Sequence, residues 1–489
     1  MQFYINDVMN DNLYVEDSFE IPSLNTEIET REIQGRDGFL LGEEKVKGYN
    51  FPIPFIYVNH DKKEYQDIVN EIVEHMITDH EVRLRFENEY WYWNVRFSGT
   101  IEFKQKTQGF VSFELNCIIT DPFKHSNELY NTVSQDDHLT IYNRGTARTY
   151  PVFRATAKKN STMFMAAKND EDYIMFGKSE ETERDNKNFK PVVYSSSLTN
   201  TSGWTRRTTA IDDVLTGGET TGSLRSDNNS FRINEWGEGA EWHGGALQRS
   251  LSRTVTEYEF TTAIKIHPQE RGKGVVKGFA HLSDEQGNLV ASIGLIDSKN
   301  NKEEVRVVIR VYDKLGRPRD IYNASGGTDG SGGTAFRNGI IYIQLRKEGN
   351  KFIGRTWRNI TRSNGKKEVG ARSRTEFVDR KGDYERNARI LTTYLAKHRK
   401  FDSVPVHMYQ VTVKELLEKD SNKIPVVIQA GDTIEIDMQN ELMLLNDEPV
   451  TELKDFGANY YSVEAGLDEI FILPEGTFDV TAEWRDRFY

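Results

Sequence analysis

Cysteine is almost missing from this chain. Its 489 residues include one, Cys117, which excludes an internal disulfide framework and any zinc site built on thiolates. Long apolar runs are missing as well, since no stretch approaches the roughly 18 residues that a membrane span needs. The first residues, MQFYINDVMNDN, have neither a basic region nor an apolar core. No secretory signal is therefore expected, and the chain is expected to be made and folded in a cytoplasm. Signatures of catalysis and nucleotide binding are lacking too. There is no GxxxxGK followed by Ser or Thr, no GxGxxG between a strand and a helix, no HExxH and no GxSxG elbow. The ten histidines fall at no paired spacing that would seat a metal. The expectation is no catalytic residue, no metal and no cofactor.

What is present fits soluble, core-forming material. Apolar residues make up 37% and charged residues 28%, and the length suits about three domains. The net charge of −13 argues against a general nucleic-acid binder, which needs clustered cations for phosphates. That total hides an asymmetry. Residues 191–412 hold 35 Lys and Arg against 25 Asp and Glu, a net of +10, whereas the rest hold 28 against 51, a net of −23. A basic block lies between acidic flanks, which points to two modules with different histories or partners.

The acidic N-terminal part reads as strands. VRLRF (82–86) and WYWNVRF (91–97) alternate apolar and polar positions and form a hairpin, with Trp91, Trp93, Val95 and Phe97 on one face. VSFELNCIIT (111–120) alternates likewise and ends at DPF, and Cys117 within it reads as a buried small side chain. One segment has helical period instead: in 61–76, Tyr65, Ile68, Val69, Ile72, Val73 and Met76 form a stripe, with Asp61 and Glu64 spaced as a capping box. Past about residue 178 the chain turns polar. A second all-β pattern, rich in Gly, Ser and Thr, follows from Val192 to about Val411 and suggests a sandwich. Acidic strands return at 424–450.

Glycine-rich GRDGFLLG (35–42) and GGTDGSGGTAF (326–336) read as a turn and a surface loop, since neither has a phosphate-binding context. DSKNN (297–301) lacks the regular ligand positions of a calcium loop and reads as a polar turn. One cluster carries binding chemistry. FRINEWGEGAEWHGGALQRSL (231–251) sets Trp236, Trp242, His243 and Arg249 among glycines. Exposed aromatics on a sandwich stack on sugar rings, and Arg or His bonds hydroxyls or phosphates. The competing reading places both tryptophans in the core, and Trp204 and Trp357 share that ambiguity.

Several stretches come in one order: FYINDV at the start, GRDGFLLG, the helix and tryptophan hairpin, CIITDPF, NRGTARTYPVF, IQAGDTIEIDMQNELMLLNDEPV and the closing VTAEWRDRFY. Together they resemble the distal tail protein (Dit) family of long-tailed phages and prophages of Gram-positive bacteria, over about residues 1–180 and 420–489. The resemblance implies an all-β fold with one helix. Residues 1–135 would form an N-terminal, tail-tube-like β-sandwich that builds a hexameric ring. Residues 136–190 and 415–489 would form a galectin-like β-sandwich. It would be interrupted by an inserted jelly-roll at 191–414, similar to carbohydrate-binding modules, to which LTNTSGW (198–204) and EWHGGAL (241–247) belong. The implied partners are further copies of the chain, the tail tube protein, a tail tip protein, receptor-binding proteins and a host cell-wall polysaccharide or teichoic acid. Nucleic-acid binding and membrane insertion are not implied, and the location would be the distal end of the virion tail. A wall-directed glycan hydrolase or a free lectin on similar sandwiches is the alternative.

Overall fold

Alternating apolar residues form strands whose buried faces meet chiefly in three large cores. The computed structural model describes every residue except 23–24, 35–36, 108, 180–184, 269–273 and 363–364. The fold is nearly all β with one α-helix among the described residues. Two compact units are present. One comprises Met1–Ser179, Thr361–Lys367 and Val427–Tyr489, and the other Glu180–Ile360 and Glu368–Val426.

The first unit holds two cores. In the N-terminal one, Val82–Phe86 buries every second side chain and pairs antiparallel with Trp91–Ser98, Leu84 facing Trp93. Phe110–Ile119 continues the sheet between Trp91–Ser98 and Tyr49–Val58. Cys117 is buried here, and burial pushes its thiol up to about 12, which makes it inert near neutral pH.

The helix Tyr65–Met76 closes this core with Ile68, Ile72 and Met76. Tyr65 and Val73 from the same stripe remain exposed, so the buried face is narrower than the periodicity predicts. The expected capping box is not formed: Glu64 is itself the N-cap, extended and without a side-chain cap bond. The cause lies just upstream, where the Asn59 side chain accepts the Lys63 N–H at 2.8 Å and donates to its carbonyl at 3.0 Å, closing a separate turn. A polar clamp fixes the helix laterally. Burial opposes ionisation of Glu71, but Lys63 Nζ at 2.7 Å, Tyr57 OH at 2.7 Å and Asn10 Nδ2 at 3.0 Å hold its carboxyl at about 2.

From this domain projects the hairpin Thr26–Glu32 and Phe39–Val46, a two-stranded sheet that pairs with no other strand among the described residues. It contains the FLLG half of GRDGFLLG. Gly35 and Arg36 lie outside the described residues.

The second core lies between a six-stranded and a four-stranded sheet, both discontinuous in sequence. Val152–Ala157 pairs with Thr433–Asp437 on one side and Phe478–Trp484 on the other. His138–Asn143 pairs with Gly466–Leu473, which also pairs with Met163–Ala167. Phe164 meets Phe478 edge-on at 5.0 Å across the two sheets. Near the C-terminus, Arg487–Phe488 pairs with Lys124–Ser126, and Arg487 bonds Asp121 at 2.5 Å.

The second unit is a sandwich of eight-stranded and seven-stranded sheets over one large core. It takes in the connecting segments beside the basic block: Asn186–Lys187 runs parallel to Ile424–Pro425.

Ile72→Ala leaves a cavity under the helix, which should cost about 2–5 kcal/mol. Calorimetry is expected to show a lowered transition for the first unit and an unmoved one for the second. An unchanged first transition would mean that the helix contributes no packing energy.

Candidate functional site

The strand Trp242–Val255 carries three of the four residues singled out by sequence, and the fold sends them to different environments. Trp236, just upstream, is half-buried against the main core of the second unit. His243 is buried, its Nδ1 3.2 Å from the carbonyl of Glu241. The Arg249 guanidinium lies 3.9 Å from the Tyr194 ring centre and 5.6 Å from that of Trp204. Seven strand positions separate Trp242 from Arg249, about 24 Å, so Arg249 and Trp242 do not share one small site. Trp204 and Trp357 are both buried.

Trp242 is the residue with a distinctive setting. It lies on the face of the seven-stranded sheet that points away from the main core. There it packs against two small apolar clusters, one containing Ala246, Tyr394 and Ala396, the other Phe279, Ile296 and Val308. Lys277 Nζ sits 4.2 Å above the indole, and His398 meets it edge-on at 5.4 Å. A cation over tryptophan is favoured by the ring quadrupole. Lys277 is nonetheless an unusual group: it is wholly buried, and its ammonium donates to the Leu215 carbonyl at 2.8 Å. Burial pushes its pKa well below the usual lysine range. Asp213 acts against that shift, and Arg310 adds to it.

Beside it runs a buried polar chain. His281 Nδ1 is 2.7 Å from Ser292 Oγ, which is 3.1 Å from Tyr312 OH, which is 3.0 Å from Thr216 Oγ1. Arg310 donates to both oxygens of Asp213 at 3.0 Å and to Asp320 at 2.6 Å. Burial opposes ionisation of Asp213, but the Thr216 backbone N–H and Arg310 hold its carboxyl below the usual range. His281 Nε2 and Thr392 Oγ1 are buried and find no hydrogen-bond partner among the described residues.

Sequence reasoning missed Lys277, His281, Arg310 and Tyr312. VKGFAHLS and EVRVVIRVYD alternate apolar with charged or polar residues, which reads as a solvated face. The signal available was the number of such strands in one sheet, but no local pattern says that a loop covers them. Chemically, the face carries an aromatic ring that suits a sugar, the Lys277 amine and an Arg310 guanidinium already held by Asp213 and Asp320.

Elsewhere the chemistry is structural. Asp297 of DSKNN accepts the N–H groups of Lys299 and Glu304 as a turn, and burial pushes its carboxyl up to about 6. The 326–336 loop is tied down by Asp329, which accepts the Ser331 and Arg372 N–H groups at 3.0 and 2.7 Å. Among the described residues no group of three or more His, Cys, Asp or Glu could hold a metal ion, and no helix is long and apolar enough to cross a membrane.

Residues 10–118 match the family described as phage tail protein RIFT-related domain. The N-terminal domain is thus a phage tail domain, of the siphophage type. No curated protein matches the sequence. Solved structures similar to the chain include the SPP1 Dit protein, described as a paradigm of the hub adsorption apparatus in phages infecting Gram-positive bacteria. It is 18% identical over 37% of this chain and 76% of that one, with a TM-score of 0.31. The CBM2 module of the evolved Dit of Lactobacillus casei BL23 phage J-1 is 14% identical over 48% of this chain and 99% of that one, with a TM-score of 0.37. The calcium-bound exoplasmic/lumenal domain of VIP36 is 11% identical over 48% and 96%, with a TM-score of 0.30.

The buried histidine gives the second unit a pH signature. Burial pushes the pKa of His281 from 6.5 down to about 3. Above pH 6.5 neither state is protonated there. Below it the unfolded chain binds a proton that the folded one refuses, so stability falls as pH drops toward 3. Between pH 7 and 4 the native protein should lose about 3 kcal/mol more than His281→Gln. Denaturant midpoints of the two proteins against pH measure this, and parallel curves would rule it out.

Proposed function

We propose that this chain is the distal tail protein of a siphophage or prophage, forming a hexameric ring that joins the tail tube to the tail tip, and that its second unit holds a glycan of the host cell wall. The tail domain at residues 10–118 carries the reading. Its expected position at the distal end of the tail and its structural, non-enzymatic role follow from the ordered stretches that resemble distal tail proteins.

The projecting hairpin supports assembly into a ring. Phe39 and Leu41 are 63% and 73% exposed, with Ile28 and Leu40 beside them. A two-stranded sheet with no third strand is at best marginally stable in water, and an exposed strand edge invites pairing. A neighbouring copy that covers these side chains supplies the missing burial. The tube and tip proteins would then meet the two faces of the ring. The second unit, with its net positive central block and its Trp242 face, is the part suited to a wall polysaccharide or teichoic acid. A basic surface concentrates a polyanion in a way that salt weakens, and several copies on one ring multiply a weak single-site affinity.

Phe39→Asp combined with Leu41→Asp is expected to convert a ring into monomers in light scattering, with an unchanged circular dichroism spectrum. A native protein that is monomeric at every concentration tested would reject the ring. Separately, fluorescently labelled full-length protein should decorate host cells, less so in high salt. Absence of labelling on every permissive strain would reject the glycan reading and leave the tail reading intact.

A further inference from the structure

The outer face of the seven-stranded sheet is covered by residues 211–218, which add no strand to it. The segment is closed on itself: Ile211 and Gly218 exchange N–H to carbonyl bonds at 2.9 Å in both directions, and the Gly217 N–H reaches the Asp213 carbonyl at 2.9 Å. It could therefore leave the face as a unit without breaking a sheet hydrogen bond. Its tip, Val214, is 90% exposed.

Each group that the segment lays on the sheet satisfies a partner that a ligand could also satisfy. The Leu215 carbonyl accepts from Lys277. The Asp213 carboxylate takes the Arg310 guanidinium. Thr216 supplies a hydroxyl to Tyr312. Ile211 and Leu215 cover the apolar clusters that flank Trp242. A saccharide bearing a carboxylate or phosphate offers the same set: hydroxyls for Lys277 and Tyr312, an anion for Arg310, and a ring face for the indole. On the same sheet, moreover, His281 Nε2 and Thr392 Oγ1 stand on directly paired strand positions, buried and with no hydrogen-bond partner among the described residues. Such buried donors and acceptors are costly to leave unmade, and ligand hydroxyls would use them.

We propose that residues 211–218 are an intramolecular occupant of a groove shaped for an anionic saccharide, and that binding displaces them. The inference rests on the reading of the second unit as a glycan-binding module, and it adds the location of the site, the charge of the ligand and a means of control. Asp213 stands in for the acidic group of the ligand while the groove is empty. Access is then set by the fraction of time the segment is lifted, because apparent affinity scales with the competent fraction.

Two substitutions should prise the segment off by different routes. Asp213→Ala removes the segment's own carboxylate from Arg310 and leaves the guanidinium held by Asp320 alone. Gly218→Ala acts sterically: Gly218 has φ +144°, and a Cβ there would lie 2.6 Å from the Trp242 carbonyl oxygen and 2.7 Å from Tyr394 OH. Each is made in the full-length chain and titrated with poly(glycerol phosphate) and with neutral dextran at one salt concentration. If the native segment is lifted about a tenth of the time, both variants should bind the phosphate polymer about tenfold more tightly than native protein. Dextran should show no gain, and Trp242→Ala should abolish binding. Equal affinity of native and opened proteins would overturn the displacement while leaving glycan binding in place. An equal gain on dextran would overturn the anionic specificity. No binding of the polymer by any form would overturn the groove, and cell labelling by the native protein would still test the broader reading. Hydrogen exchange guards against misfolding: the strand Val276–Ser283 must stay protected in both variants. In native protein, 211–218 should exchange faster than that strand, and joint exchange only on global unfolding would also overturn the proposal.

Discussion

An inserted domain has to hand the chain back where it took it. The second sandwich depends on that constraint more than on any single contact. Its strand Val152–Ala157 finds both neighbours, Thr433–Asp437 and Phe478–Trp484, in sequence that follows the insertion. The pairing of Asn186–Lys187 with Ile424–Pro425 meets the requirement with very few residues, because it fixes outgoing and returning segments side by side. Loop-closure entropy rises only slowly with the length enclosed. A closed, self-supporting domain at that point therefore adds little to the difficulty of joining the strands around it.

The first domain was largely legible from sequence because period-two alternation there matches burial. Val82–Phe86 and the tryptophan hairpin bury the residues that alternation selects. The helix was legible from its stripe, though not its cap, since Asn59 makes a competing local turn that residue spacing does not reveal. In the second unit the same rule misleads. Strands such as Val276–Ser283 bury every position on both faces, and an alternating Lys or His there signals a covered polar layer. The four residues around EWHGGAL share binding chemistry and nearness in sequence only. A strand separates by distance and by face what the sequence places together, so Trp242 and Arg249 ended up with different neighbours.

The central block is basic in sum, yet some of its cations never meet solvent. Lys277 lies under a loop, and Lys347 is buried against Glu257 at 2.8 Å. Arg310 is spent between two aspartates. The field that a polyanion feels comes from the remaining lysines and arginines, while the buried ones shape local chemistry. Net charge thus reports long-range attraction and says little about where a ligand would be gripped.

The split of the second sandwich also has a temporal side. On a ribosome, Val152–Ala157 is made long before either of its neighbours exists, with the whole of Glu180–Val426 still to be synthesised. At roughly 5–20 residues per second, those intervening residues occupy about 12 to 50 s. Throughout that interval the apolar side chains Phe153 and Phe164, one on each of the two sheets, must wait without the strands that complete their core. The inserted unit, whose strands pair only within it, can be complete before the wait ends. The nascent chain would then carry a finished domain tethered beside an unfinished one, the window in which chaperones, or a neighbouring nascent copy, would find it most exposed.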